Sequence, residues 1–370
     1  MFRSLSLALA AFLISVPAGA QVRDAASGTV TRAQGRVHFT AASISAPDRI
    51  GGLRFDRATE GQDYASGLDS AVRYQSADRQ VFATLYVYTP NLAHAGLTAF
   101  TTDYFIHYIA ESAPRVIGQT VVSAGGQADS AIRIDYANFR GSLASSAAFL
   151  KVGQWIVKLR VSGPEARRAE VDRAMNALLD GLRFAGQARP PEPLVPQACG
   201  EASPAPRASL LASDALIATE EAIIGVAEND DDARESDGPA LLTPRFGPAW
   251  CLSSLVRAGD MRFPVLRSLM PADGARKRSV LIVPISDSGR LLEVVQTNQA
   301  GRFVLFDHRI GRTLLLGAFD GVPTDAQIGD ILAGGDQGSQ RIRAVIDRVV
   351  GGDANINVHE AVPSSKDDTI

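Results

Sequence analysis

Residues 130–184 show two hydrophobic periodicities, first that of a β-strand and then that of an α-helix. Residues 132–136 alternate apolar and charged side chains, which is the period of a half-buried strand. Residues 149–152 and 155–161 are also strand-like, with Lys158 and Arg160 on the polar side of the second run, and they flank Gly153-Gln154, a pair of the type that closes a two-residue hairpin. Ser162–Glu165 has the spacing of a capping box, and the apolar residues after it recur at helical intervals. The pattern predicts antiparallel strands followed by a helix that packs on them.

The same two periods continue on both sides of this stretch. Residues 81–88 are rich in β-branched and aromatic side chains and predict a strand, whereas residues 91–112 predict an amphipathic helix. In the second half, residues 280–319 predict a four-strand meander, and residues 324–332 and 342–349 predict two helices. We therefore expect an α+β fold, with helices packed on an antiparallel sheet in the first domain and a second α+β domain with a four-strand meander and flanking helices.

Composition divides the chain into successive parts. A proline-dense segment in the middle predicts an extended, semi-rigid linker between two domains. The predicted parts are a signal peptide (1–20), a flexible leader (21–36), an α+β sandwich domain (37–187), a Pro-rich linker (188–208), a second α+β domain (209–352) and a polar tail (353–370).

The element order of the first domain resembles that of the PsbP/DcrB-like α/β/α sandwich family. The residues that carry the resemblance are Ile50–Leu53 before the first hairpin and the strand pair around Lys151–Trp155 before the last helix. It covers roughly residues 37–184 and concerns element order. The resemblance implies a binding or accessory module in an exported setting. Because members of that family share a fold rather than a catalytic set, it implies no site residues.

The first twenty residues have the organisation of a bacterial secretory signal. Arg3 provides a positive start, residues 5–16 are apolar, and Ala18–Ala20 form a cleavage site of the A-x-A type before Gln21. The apolar run is shorter than the roughly 20 residues that span a bilayer, although an uncleaved anchor is the alternative. We predict cleavage near Ala20-Gln21, a periplasmic location and no integral membrane segment in the mature chain.

Charge and cysteine content narrow the possibilities further. The formal net charge is −3, which argues against a nucleic-acid partner because such a partner demands a dense basic surface. The chain has two cysteines, Cys199 and Cys251. In an oxidising compartment an isolated pair predicts a disulfide, which would hold the linker onto the second domain.

Two histidines have acidic neighbours of the kind that hydrolases use. His107 follows Asp103 by one helical turn, with Ser112 nearby, but the chain contains no G-x-S-x-G motif. We therefore interpret His107 as a partly buried helix residue. Asp307 and His308 are adjacent on a predicted strand and point to opposite faces, so a turn cap or a cross-strand pair is the favoured interpretation.

No metal or cofactor site is predicted. The acidic run Asp230–Asp237 lacks the spacing of an EF-hand loop and is interpreted as a solvated loop. His38, His94 and His359 are scattered and form no metal-binding motif, and no Walker-type or dinucleotide-binding loop is present.

The candidate ligand-binding residues are the aromatic side chains that are most densely clustered in the sequence. They would line a small apolar pocket between sheet and helix, although core packing is the commoner use of such a stripe. These residues are Tyr86, Tyr88, Phe100, Tyr104 and Tyr108.

Because no catalytic motif is recognisable, the sequence favours an exported binding or accessory module over an enzyme. Its partner would be an envelope protein or a small ligand. The alternatives are an uncharacterised hydrolase with a histidine or carboxylate site and a purely structural envelope protein.

Overall fold

The protein is mostly β. The computed structural model describes residues 22–24, 28–61, 67–109, 114–188, 191–200, 206–212, 215–227, 250–269, 278–297, 299–334, 342–348 and 354–359. Strands account for 53% and helices for 18% of the described residues, and the strands form large antiparallel sheets. The predicted α+β class, with helices packed on the sheets of both domains, is therefore wrong. The error arose because the strands between residues 250 and 268 and after residue 342 were not predicted.

The first large sheet follows an eight-strand path that curves into a half-barrel. Its order is β1-β6-β7-β8-β12-β11-β10-β9, and β5 pairs with β6. With strands numbered along the chain, its members are β1 (Val22–Asp24), β5 (Arg49–Ile50), β6 (Leu53–Gly61), β7 (Asp69–Gln75), β8 (Phe82–Tyr88), β9 (Arg115–Ala124), β10 (Gln127–Phe139), β11 (Leu143–Val152) and β12 (Trp155–Pro164).

A small sheet lies beside the half-barrel and has the order β13-β4-β3-β2. Its strands are β2 (Val30–Ala33), β3 (Arg36–Phe39), β4 (Ile44–Pro47) and β13 (Arg183–Phe184). β1 and β2 both lie in the segment that was predicted to be a flexible leader. The leader is therefore paired into two different sheets.

The second large sheet is a nine-stranded meander whose strands follow one another in chain order. All neighbours are antiparallel except the first two, which are parallel. The strands are β14 (Gln197–Ala198), β15 (Trp250–Ala258), β16 (Met261–Ser268), β17 (Arg278–Pro284), β18 (Leu291–Gln296), β19 (Phe303–Arg309), β20 (Arg312–Phe319), β21 (Ala344–Arg348) and β22 (Ala354–Val358). The predicted four-strand meander is β17–β20, the middle of this sheet, and β22 lies in the predicted polar tail.

Four α-helices occur in the described residues, and none of them is long and apolar enough to cross a membrane. They are α1 (Ala95–Ile109), α2 (Arg168–Gly181), α3 (Ala215–Ala227) and α4 (Asp325–Ala333). α2 packs with the small sheet on one face of the half-barrel, where Leu159 and Met175 are fully buried. α1 packs on the opposite face, against β10 and β11. We call these the α2 face and the α1 face.

Several local predictions are confirmed. Val152 pairs with Trp155 across the predicted two-residue turn, where Gly153 adopts the positive φ of +54° that the turn needs. The predicted helices at residues 91–112 and 324–332 correspond to α1 and α4. Thr324 caps α4 in a reciprocal capping box with Gln327.

Two local predictions are wrong. Residues 344–348 form the strand β21 instead of a helix, because β-branched side chains suit the free edge of β20, against which Ile346 becomes buried. The predicted capping box at Ser162 is absent, because β12 continues to Pro164 and the Ser162 hydroxyl lies 2.8 Å from that of Ser145 on β11. A short 3₁₀ turn, Glu165–Arg167, then leads into α2.

Helix α1 joins the half-barrel to the second large sheet. Ala99 and Ile106 pack against β10 and β11, whereas Phe105 belongs to the core of the second sheet and lies 6.4 Å from the ring of Phe263. Just before the helix, the Asn91 amide donates to the hydroxyl of Thr313 on β20. The two sheets therefore share buried contacts through one helix.

The start of α1 gives the protein a predictable response to acid. His94 Nδ1 accepts a hydrogen bond of 3.1 Å from the Leu97 backbone N–H, so this bond requires the neutral imidazole. Burial, with the charge of Lys151 adding to it, lowers the pKa of His94 to about 4, from an ordinary 6.5. The unfolded chain therefore binds a proton first as the pH falls. The contribution of His94 to stability is complete above pH 6.5 and is lost between 6.5 and 4.

We expect wild-type protein to lose up to about 3 kcal/mol of unfolding free energy from this group across that interval. The measurement is the urea midpoint as a function of pH. His94→Asn should lack this component, because asparagine accepts the same bond without titrating. His359→Asn is the matched control, since His359 is exposed. Identical pH profiles for wild type and His94→Asn would contradict the assignment.

Candidate functional site

The predicted aromatic cluster separates into two groups in the structure. Tyr86 and Tyr88 lie on β8, and Phe100, Tyr104 and Tyr108 lie on α1. The α1 group faces the second large sheet. The stacked rings of Tyr104 and Tyr108 lie 6.1 Å apart, and their hydroxyls donate to the backbone oxygens of Arg262 and Asp260 in the β15–β16 hairpin. These three aromatic residues therefore attach α1 to the second sheet.

Tyr88 is covered by the turn between β17 and β18. It is 2% exposed, and burial raises the pKa of its hydroxyl above the ordinary value. Gly289 of the turn has a φ of +93°, and a Cβ there would lie 2.9 Å from Pro90 and 3.2 Å from the Tyr88 ring. Only glycine fits this approach, so Tyr88 is part of a tight contact between the two sheets.

An ion pair closes the same end of the α1 face. Lys158 Nζ lies 2.7 Å from the Asp287 carboxylate and donates to its backbone oxygen at 3.1 Å. The ammonium also lies 5.4 Å from the centre of the Tyr86 ring. Because Lys158 is 5% exposed, its charge is used within the interface.

Next to this contact, the strand register creates a group of half-exposed side chains around one small residue. Thr84 on β8 pairs with Arg73 on β7 and with Arg160 on β12, and directly opposed residues share a face at about 4.8 Å spacing between strands. Phe82 and Tyr86 flank Thr84 along β8 on that face. We call these five residues the Thr84 site. Their partial exposure shows that the α1 face is not fully used for packing here.

Arginine side chains and aromatic rings alternate in this region. The Arg73 guanidinium lies 5.6 Å from the Phe82 ring, and that of Arg160 lies 4.4 Å from the ring of Phe139 on β10. Arg140 lies 5.6 Å from the same Phe139 ring. Burial lowers the pKa of Arg160, and the charge of Arg140 lowers it further, whereas Tyr86, Asp287 and Tyr136 oppose this shift.

The structure places His107 apart from any described serine partner. Its Nδ1 lies 2.9 Å from the Asp103 backbone oxygen and 3.4 Å from the Asp103 carboxylate, and the side chain is 37% exposed. Its ring lies 6.3 Å from that of Tyr136, measured between ring centres. Ser112 lies outside the described residues.

His308 belongs to a buried polar network on the second sheet. Its Nε2 lies 2.8 Å from the Glu293 carboxylate, its Nδ1 lies 3.0 Å from the Thr313 hydroxyl, and Ser279 donates to Glu293. The order hydroxyl, imidazole, carboxylate is that of a hydrolase triad. All of these side chains are at most 4% exposed, however, so a substrate cannot reach the network. Asp307 points to the opposite face and binds Arg290 and Arg309.

Other candidate sites are less suitable. Within the described ranges, no group of three His, Cys, Asp or Glu side chains is placed to hold a metal ion. The acidic run Asp230–Asp237 falls outside those ranges. A pocket of about 220 Å³ beside α3 is lined by Glu221 and Arg302, but these two groups form an ion pair with each other.

The sequence marked Lys158 and Arg160 as the polar side of a strand but did not identify the Thr84 site. The available signal is that these two cations alternate with apolar residues in a strand, β12, that becomes central to a sheet. Glu293 gives a similar signal, because it stands alone among Leu291, Leu292, Val294 and Val295. Neither signal identifies the partners, which lie on other strands.

No protein-family model matches the chain, and no curated protein sequence matches it.

Proposed function

We propose that the protein is an exported binding module without catalysis, and that its ligand binds at the Thr84 site on the α1 face of the half-barrel. One observation carries the proposal. Thr84 is a small residue surrounded by longer, half-exposed arginine and aromatic side chains, on a sheet face whose neighbouring parts are covered by α1 and by the β17–β18 turn. Recessed sites with aromatic walls and a few polar groups are typical of small-molecule binding.

Export is supported by two features. The first twenty residues have the pattern of a secretory signal, and Cys199 and Cys251 form a disulfide, which is the usual state in an oxidising compartment. The periplasm of a bacterium fits both features. The resemblance to the PsbP/DcrB-like family implies an accessory or binding role, in agreement with this proposal.

The hydrolase hypothesis remains testable beside this proposal. A panel of ester, peptide and glycoside substrates addresses it, and His107→Ala is the clean variant because His107 is exposed. Loss of turnover in His308→Ala alone would not assign catalysis, because that change also breaks the buried network.

The test of the proposed function is native mass spectrometry of the protein isolated gently from its own cell envelope. We expect a retained small mass in wild-type protein and its loss in Thr84→Phe, because the ring fills the centre of the site. Thr31→Phe is the matched control, since Thr31 is an exposed residue on a strand of the small sheet. A bare wild-type chain that also captures nothing from an envelope extract would contradict the proposal.

A further inference from the structure

We infer that the ligand of the Thr84 site is an organic anion whose carboxylate or phosphate group is bound by Arg160 and Arg140. The inference rests on the proposed function and adds the chemical class of the ligand. It starts from the charges around Phe139.

Five cations lie over aromatic rings in the described part of the chain, and three of them are within ion-pair distance of a carboxylate. Arg32 donates to Asp48 at 2.9 Å, Lys158 to Asp287 at 2.7 Å, and Arg73 lies 3.9 Å from Asp56. Arg140 and Arg160 are the two exceptions, and both lie over the ring of Phe139. Among the described residues, neither makes a hydrogen bond or an ion pair with a carboxylate.

The Arg160 guanidinium also leaves hydrogen-bonding capacity unused. Nη2 of Arg160 is buried and has no hydrogen-bond acceptor among the described residues. Buried donors in folded proteins are almost always paired, so such an atom calls for an explanation. The positive charges of Arg140 and Arg160 also repel each other, and a negative group bound between them would offset this repulsion.

An oxyanion satisfies both requirements. Carboxylate and phosphate oxygens accept paired hydrogen bonds from a guanidinium group, and charge-assisted bonds of this kind are the stronger ones. Lys158 is not available for this purpose, because Asp287 holds it. With the anionic group at Arg160 and Arg140, the organic part of the ligand lies over Thr84, between the rings of Phe82 and Tyr86 and beside Arg73.

The probes are inorganic phosphate and benzoate at about 10 mM, compared with chloride at equal ionic strength, and the readout is the thermal midpoint together with calorimetric titration. We expect phosphate or benzoate, but not chloride, to raise the midpoint of the wild-type chain. In Arg160→Gln and in Arg140→Gln the affinity for the same anion should fall about tenfold or more. Arg140 is exposed, so its variant tests the inference without disturbing the core.

Arg32→Gln is the matched control, because Arg32 lies over Phe55 at the same 4.4 Å but is paired with Asp48. Its anion response should equal that of wild type. An equal response in wild type, Arg160→Gln and Arg140→Gln would overturn the inference, as would a retained neutral ligand that binds Arg160→Gln unchanged. The second result would leave the proposed function standing, whereas a chain that binds neither anion nor any envelope component would contradict both.

Discussion

Replacing Glu293 by alanine is expected to lower the free energy of unfolding by about 3–5 kcal/mol. The carboxylate is fully buried on β18 and accepts from Ser279 while it contacts His308 at 2.8 Å. Without it, a hydroxyl and an imidazole nitrogen remain in the core with no partner, and the removed atoms leave a cavity. The measurement is urea unfolding of the variant and the wild type at neutral pH.

Two further variants distinguish the loss of the buried network from the general effect of removing a carboxylate on stability. Glu293→Gln keeps the volume and one accepting oxygen, so its loss should be smaller, about 1–2 kcal/mol. Glu165→Ala breaks an exposed pair with Arg168 and should change stability by less than about 1 kcal/mol. If Glu293→Ala unfolds at the same urea concentration as Glu165→Ala, the buried network does not stabilise the second sheet.

Removal of the disulfide between Cys199 and Cys251 is expected to have an effect of similar size. The bond joins residues 52 apart in sequence and holds β14 beside β15, so its loss frees a long loop in the unfolded chain. In the chain-entropy model this loop corresponds to about 4 kcal/mol. We expect the double variant Cys199→Ser, Cys251→Ser to unfold at a correspondingly lower urea concentration.

The wild-type chain provides the control for this experiment. Under a reducing agent its unfolding midpoint should fall to that of the double variant, whereas the double variant should not respond to the reducing agent. A double variant as stable as the oxidised wild type would show that the β14–β15 contact holds the segment without the bond.

The elements of the candidate site were accessible from the sequence, but their assembly was not. The alternation around Lys158 and Arg160 identified a strand with a polar side, and residues 81–88 were correctly predicted as a strand. The predicted ligand pocket of five aromatic residues combined β8 with α1, because they are neighbours in sequence. In the structure α1 leaves β8 and packs on β10 and β11, so Tyr104 and Tyr108 face the second sheet instead.

Local patterns in the sequence by themselves determined the hairpin at Gly153, the helices α1 and α4, the central meander and the pairing of the two cysteines. The helices and strands follow from hydrophobic periodicity and the hairpin from its turn residues, all within short segments. The disulfide follows from the presence of only two cysteines in the sequence. The tertiary structure alone decided the mostly β class, the Glu293–His308 network and the Thr84 site. Arg73, Thr84 and Arg160 become neighbours through the register of β7, β8 and β12, and register between distant strands is set by the packing of the whole sheet.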